Sequence, residues 1–153
     1  MTDDAPIKME VMRLPNLEGL PLPTYATDLS SGMDLYAAIP EGQPATIPPG
    51  GFTLVPTGLA VAIPPGFEVQ LRARSGLCAR HGIFVLNGVG TIDADYRGEM
   101  KLILANFGKE PFTIKRGERV GQMVLTRFSA VEWKSVSNLS GTTRTGGFGS
   151  TGV

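Results

Sequence analysis

The chain has 153 residues, 42% hydrophobic and 18% charged, a composition that fits one folded domain and excludes a disordered polypeptide. Its 14 basic and 14 acidic residues balance, which excludes the broad basic face that grips duplex nucleic acid and allows a small anion held by a few arginines. One cysteine and one histidine exclude an internal disulfide and a zinc site of their own, and no apolar run approaches the ~20 residues that span a membrane.

The first six residues are acidic and lack the basic-then-apolar pattern of a secretion signal, so a soluble, cytoplasmic protein is expected. Short apolar runs follow at 8–14, 52–55, 59–63, 67–72, 83–86, 100–106, 112–115 and 120–128. Alternation is cleanest at 67–72, where Phe67, Val69 and Leu71 share one face of a strand and Glu68, Gln70 and Arg72 the other. Residues 48–50 and 64–66 are both Pro-Pro-Gly, which sets proline at the second and glycine at the third position of a tight turn, where φ is positive. Such punctuation, with 20 glycines and 12 prolines in all, leaves many short strands between turns and predicts an all-β sandwich or barrel. One short helix is expected at 75–82, with Ser75 as N-cap and Gly82 as stop. From Ser137 onward Ser, Thr and Gly dominate, so residues 1–136 are expected to form the domain and 137–153 a mobile arm.

Four segments carry polar groups suited to chemistry, and each has a plain structural alternative. In Arg72-Ala73-Arg74-Ser75-Gly76-Leu77 a helix start offers free N–H groups and a hydroxyl to an anion, with Arg74 as a charged donor. The alternative is an ordinary cap beside a solvated arginine. In the stretch from Asn87 to Glu99, a hairpin or tight loop, Gly88, Gly90 and Gly98 allow a flat ligand close to the backbone, and Asp93 and Asp95 share one side if the loop stays extended. One of them can serve as a general base for water; the alternative is an acidic turn capping its own backbone. In Arg116-Gly117-Glu118-Arg119-Val120-Gly121-Gln122, Gln122 can hydrogen-bond a phosphate oxygen, while Glu118 and Arg119 read as a structural pair. Finally, Arg144-Thr145-Gly146-Gly147-Phe148-Gly149-Ser150-Thr151-Gly152 joins a cation, a ring and hydroxyls in glycine-rich backbone that can cradle phosphates, without the lysine or strand-turn-helix frame of a P-loop. Its alternative is a disordered tail. Cys78 and His81 read as structural.

Together, and in this order, the segments resemble the trimeric dUTPases. Ser31-Gly32-Met33-Asp34-Leu35-Tyr36-Ala37 is similar to the first of that family's five motifs, and Arg74-Ser75-Gly76-Leu77 to the second. The third is resembled by the run from Gly90 to Glu99, the fourth by the run from Gly117 to Gln122, and the fifth by the tail from Arg144 to Gly152. Ser31, Ala73 and Gly121 depart from the residues usual there, namely alanine, proline and alanine.

The resemblance implies a β jelly roll (or β-clip-like sandwich) that forms a homotrimer, with each active site assembled from three chains. It implies Mg²⁺-dependent hydrolysis of dUTP to dUMP and pyrophosphate, which keeps uracil out of DNA and supplies dUMP for thymidylate synthesis. Asp93 would be the base that activates water for in-line attack on the α-phosphorus. Arg74 and Arg144 would neutralise charge, with Ser75, Gly76, Gln122, Gly149, Ser150 and Thr151 as further phosphate contacts. The ion would sit on triphosphate oxygens and waters, with Asp34 reached through water. Asn87, Thr91, Ile92 and Lys101 would read uracil, Tyr96 would pack on deoxyribose, and Phe148 would stack on the base as the arm closes. No nucleic-acid or membrane partner is expected. Two rivals share the architecture. A dCTP deaminase-type relative should lack the tail motif and carry a catalytic glutamate in its third motif. A non-catalytic nucleotide- or sugar-binding jelly-roll module should release no pyrophosphate.

Overall fold

Strand β6 (Phe67–Arg72) shows how the chain divides inside from outside. In the computed structural model, which describes residues 6–142, Phe67, Val69 and Leu71 are buried while Glu68, Gln70 and Arg72 are half-buried or exposed. Ten further strands are described: β1 (Glu10–Arg13), β2 (Met33–Tyr36), β3 (Ala45–Ile47), β4 (Phe52–Pro56), β5 (Leu59–Ala62), β7 (Ile83–Val85), β8 (Gly90–Ile92), β9 (Lys101–Asn106), β10 (Phe112–Ile114) and β11 (Arg119–Arg127). A 3-10 turn, Pro15–Leu17, and one helix, α1 (Ser75–His81), complete the described elements. All pairings between named strands are antiparallel. They make a four-stranded sheet in the order β2-β11-β6-β8, a three-stranded sheet β4-β9-β7, and two ribbons, β1-β5 and β10-β3. This is the expected β-sandwich of jelly-roll type with one short helix.

One apolar cluster holds the layers together. Leu35, Val69, Leu71 and Met123 come from the four-stranded sheet, and Val55, Val85, Leu102 and Leu104 from the three-stranded one. Ile47 and Ile114 from one ribbon and Leu59 and Val61 from the other close it. Each such side chain, fully buried, contributes about 1.5–3 kcal/mol. Asn106 is buried, and its amide donates to the Ile47 and Glu110 carbonyls (2.9 and 2.8 Å) while accepting from the Gly108 N–H (2.8 Å). Among the described residues no buried side-chain N or O lacks a partner.

Both Pro-Pro-Gly turns form as expected. Gly51 N–H donates to Pro48 O at 2.9 Å with Gly50 at φ 75°, and Phe67 N–H to Pro64 O at 3.2 Å with Gly66 at φ 83°. Three strands escape the sequence reading. β2 lies within a polar motif, β3 is three residues hemmed by prolines, and β8 is three residues of a glycine-rich stretch that pairs with β6 and forms no hairpin with β7. Each is specified by its partner strand more than by its own pattern. The helix also differs. Its N-cap is Arg74, extended at φ −88°, ψ 127°, whose carbonyl accepts from the Leu77 and Cys78 N–H groups; Ser75 is already helical and no side chain caps the helix. Gly82 ends it in the left-handed region at φ 67°.

Gly121 has a packing reason. A Cβ there would lie 2.7 and 2.8 Å from the two Leu102 methyls, and Leu102 is fully buried. Gly121→Ala should therefore lower unfolding free energy by about 1–2 kcal/mol in a urea melt. Adding Leu102→Val should recover part of the loss, and an additive double variant would contradict this account.

Candidate active site

Three of the sequence motifs converge at one end of the four-stranded sheet. Gln122 on β11 sits opposite Asp34 of β2 on one side and Arg72 of β6 on the other. That register brings Asp34 within reach of the segment after β6. Arg74 Nε donates to Asp34 Oδ1 at 2.9 Å, and Arg119 Nη1 to Asp34 Oδ2 at 3.3 Å. Arg74 Nη1 also donates to the Arg119 carbonyl at 3.2 Å. Two guanidiniums thus share one half-buried carboxylate, which leaves the group with a net positive charge and with donors to spare. The Gln122 amide donates to Ala73 O at 2.9 Å, so it steadies the peptide that leads into Arg74 and Ser75. Directly after Arg74, the Ser75 and Gly76 N–H groups precede the helix's own hydrogen bonds, and the Ser75 side chain is exposed.

Arg119 was expected to pair with Glu118. Instead Glu118 accepts the Lys115 N–H at 2.9 Å, closing its own turn, and Arg119 goes to Asp34. The partner lies 85 positions away in the chain, so no local pattern announces it.

The residues from Asn87 to Lys101 make a second group. Asn87 is exposed in the turn after β7, and Thr91 and Ile92 lie on β8, opposite Gln70 and Val69. Because β8 is the last strand of its sheet, one side of its backbone faces outward. Lys101 opens β9 beyond the end of β7 and pairs with Pro56. Asp93, Asp95 and Tyr96 are exposed. The loop does not stay extended: Tyr96 N–H donates to Asp93 O at 3.1 Å, a turn that removes the strand-like alternation expected of Asp93 and Asp95. Nor do all its glycines make room for a ligand. A Cβ at Gly98 would meet the Tyr96 ring at 2.6 Å from Cζ, and one at Gly90 would lie 3.1 Å from Leu71 Cβ, so both accommodate the protein's own side chains.

The two groups lie at opposite ends of one sheet. Ile92 pairs with Val69, and Arg74 lies five residues further on, about 16 Å at ~3.3 Å per residue. Asp93 leaves the sheet in the other direction. Within one chain, therefore, Asp93 and the Arg74–Ser75 group stand well apart along the strand direction. Two surface clefts, about 770 and 690 Å³, gather around Glu18, Pro40, Glu41 and Arg116 and take in only Glu99 and Lys101 from the two groups. Arg144, Phe148, Gly149, Ser150 and Thr151 lie outside the described residues.

The outer face of the three-stranded sheet is apolar and uncovered. Phe52 is 62% and Phe107 86% exposed, with Leu54 and Leu86 also exposed beside them. No helix among the described residues is long and apolar enough to cross a membrane.

An antiparallel β-sandwich with an ion-paired arginine beside a helix start and an open edge strand defines an all-β protein with a candidate site for an anion. A family model described as dUTPase matches residues 18–152. The deoxyuridine 5'-triphosphate nucleotidohydrolase of Anaplasma marginale (strain St. Maries) is 51% identical over 148 residues, covering 96% of this chain and 99% of that protein. Its counterpart in Maricaulis maris (strain MCS10) is 49% identical, covering 96% and 97%. In fold the chain is similar to the Staphylococcus bacteriophage 80alpha dUTPase solved with dUpNHpp (TM-score 0.80, 22% identity, 95% and 99% covered). It is also similar to a dUTPase from phage phi11 of S. aureus described with a structural Mg(II) ion (TM-score 0.74, 21% identity, 86% and 98% covered). The chain belongs to the dUTPase family.

Proposed function

We propose that the protein hydrolyses dUTP to dUMP and pyrophosphate, as a cytoplasmic homotrimer with active sites shared between chains. Family membership at about half identity over nearly the whole chain supports the reaction. The shared site is carried by one observation: Asp93 and the Arg74–Ser75 group lie at opposite ends of the same sheet. A neighbouring chain that brings its Asp93 to this chain's arginine resolves the separation. The uncovered apolar face gives the chains something to bury.

Arg74, the Ser75 hydroxyl and the Ser75 and Gly76 amides bind the phosphate chain. Asp34 keeps Arg74 extended toward it through the 2.9 Å ion pair, and Gln122 steadies the Ala73–Arg74 peptide while offering a further N–H. Asp93 of a second chain orients a water against the α-phosphorus and takes its proton as the O–P bond to pyrophosphate breaks. Residues 137–153 act as an arm distinct from the domain of residues 1–136. Its Arg144, Gly149, Ser150 and Thr151 close on the terminal phosphates, and Phe148 stacks on uracil. The outward backbone of Thr91 and Ile92, with Asn87 and Lys101, reads uracil; so close a backbone rejects the thymine methyl. Tyr96 packs on the sugar where a 2′-hydroxyl would project.

The residues fit a hydrated Mg²⁺ that rides on the substrate. Both Asp34 oxygens are engaged by arginines, and no cluster of three His, Cys, Asp or Glu that could cage a bare ion occurs among the described residues. Asp34 would hold the hydrated ion through water, and the ion would supply neutralisation of the charge that builds on the phosphates.

The deciding experiment is a coupled pyrophosphate-release assay over dUTP, dTTP, dCTP and UTP, with ammonia followed in parallel. Release from dUTP alone is expected. Ammonia from dCTP would favour the deaminase rival, whose catalytic glutamate belongs in the third motif; here the glutamate there, Glu99, is hydrogen-bonded to Asn16 and Gly58. No pyrophosphate from any nucleotide would favour a binding module.

A further inference from the structure

Glu99 puts a carboxylate inside the fold, where its bonds are to the protein's own groups. Its Oε1 accepts from Asn16 Nδ2 at 2.7 Å and from the Gly58 N–H at 2.8 Å, and Lys101 Nζ stands 3.6 Å from Oε2. The side chain is only 16% exposed, so these charge-assisted bonds are poorly screened. They tie together the 3-10 turn, the β4–β5 turn and the chain entering β9. Each partner is itself fixed. Gly58, at φ 70°, lies so close to the 3-10 turn that a Cβ would come within 2.7 Å of Leu17 Cβ. The Asn16 carbonyl accepts from Arg116 Nη1 at 2.9 Å, and the same nitrogen donates to Ile39 O at 2.8 Å. Glu99 is therefore anchored to the rigid body of the sandwich.

On its other side Glu99 holds Tyr96. The Tyr96 hydroxyl donates to the Glu99 carbonyl at 3.0 Å, and the ring lies over Gly98, where the absence of a Cβ lets it approach. We infer that Glu99 is a positioning residue for sugar selection: its carboxylate, clamped by Asn16 and Gly58, fixes the carbonyl that holds the Tyr96 hydroxyl. The clamp thereby sets how closely the ring approaches C2′ of the nucleotide. This deepens the functional proposal above and rests on it.

The test is steady-state kinetics with dUTP and UTP as separate substrates. Glu99→Ala and Tyr96→Phe should each lower the ratio of kcat/KM for dUTP over UTP by about tenfold. The double variant should lose little more than either alone, because both changes release the same ring. Glu99→Gln keeps an acceptor oxygen and should retain most of the discrimination, and Asn16→Ala should lose part of it. If Glu99→Ala fails to fold, Asn16→Ala and Tyr96→Phe carry the test. An unchanged ratio in the folded variants, or an equal loss on both nucleotides, would overturn the inference and leave Glu99 merely structural. Additive losses in the double variant would overturn it too. A wild-type protein inactive on dUTP would instead sink the functional proposal itself.

Discussion

Replacing Asp93 with asparagine is expected to lower dUTP turnover roughly 10²–10⁴-fold while dUTP binding survives. The two side chains have the same shape, so the variant isolates the chemistry. Asp93 is exposed just past β8, and the turn that follows it is closed by its backbone carbonyl, which accepts the Tyr96 N–H. That bond does not depend on the carboxylate, so the loop should keep its form. Losing the carboxylate removes the acceptor for the water proton, and asparagine has no basic lone pair to replace it. Rapid-quench turnover, alongside calorimetric binding of a non-hydrolysable dUTP analogue, separates the two effects. Turnover near wild type would move the base role to Asp95, which lies in the same turn. Loss of binding together with turnover would mean that Asp93 is a structural acceptor.

Deleting residues 140–153 should abolish most turnover, by roughly 10²–10³-fold, without unfolding the domain. The described core ends at Met123, with Leu125 packed against it, and every residue from Phe128 to Thr142 is exposed. The deletion removes Arg144, and with it a cation facing the charge that grows on the departing pyrophosphate. It also removes the closure that keeps bulk water from the reaction. Thermal melts should be nearly superimposable for the full-length and shortened proteins. Combined with Asp93→Asn, the deletion also tests the shared site. Each variant alone should be nearly inactive, yet refolding them together at equal amounts should restore about a quarter of sites if base and arm come from different chains. Near-zero recovery in trimers shown by mass to be mixed would place both parts in one chain. Full activity of the shortened protein would remove the arm from the mechanism.

Much of the fold was legible in the chain because alternation and turn chemistry are local. β6 has its expected bounds, and both Pro-Pro-Gly turns carry the positive φ that their third residue demands. Gly82 stops the helix for the same local reason. β3 and β8, three residues each, carried too little pattern to be read, and the cap on Arg74 depends on where β6 releases the chain. The polar groups of the candidate site were legible as a list. Their alliances were not: Arg119 was read with its neighbour Glu118 and is instead held by Asp34, and Glu99 gave no sign of Asn16, 83 positions earlier.

The sequence by itself determined the class of fold, the turns, and which polar side chains are candidates for the site, because these depend on residue type and on spacing along a few residues. Only the tertiary structure decided which of them meet. Antiparallel register set Asp34 against Gln122 and Arg74, and sent Asp93 to the far end of the same sheet. Register is fixed by burying one face of every strand at once, a condition on the whole core that no short segment contains.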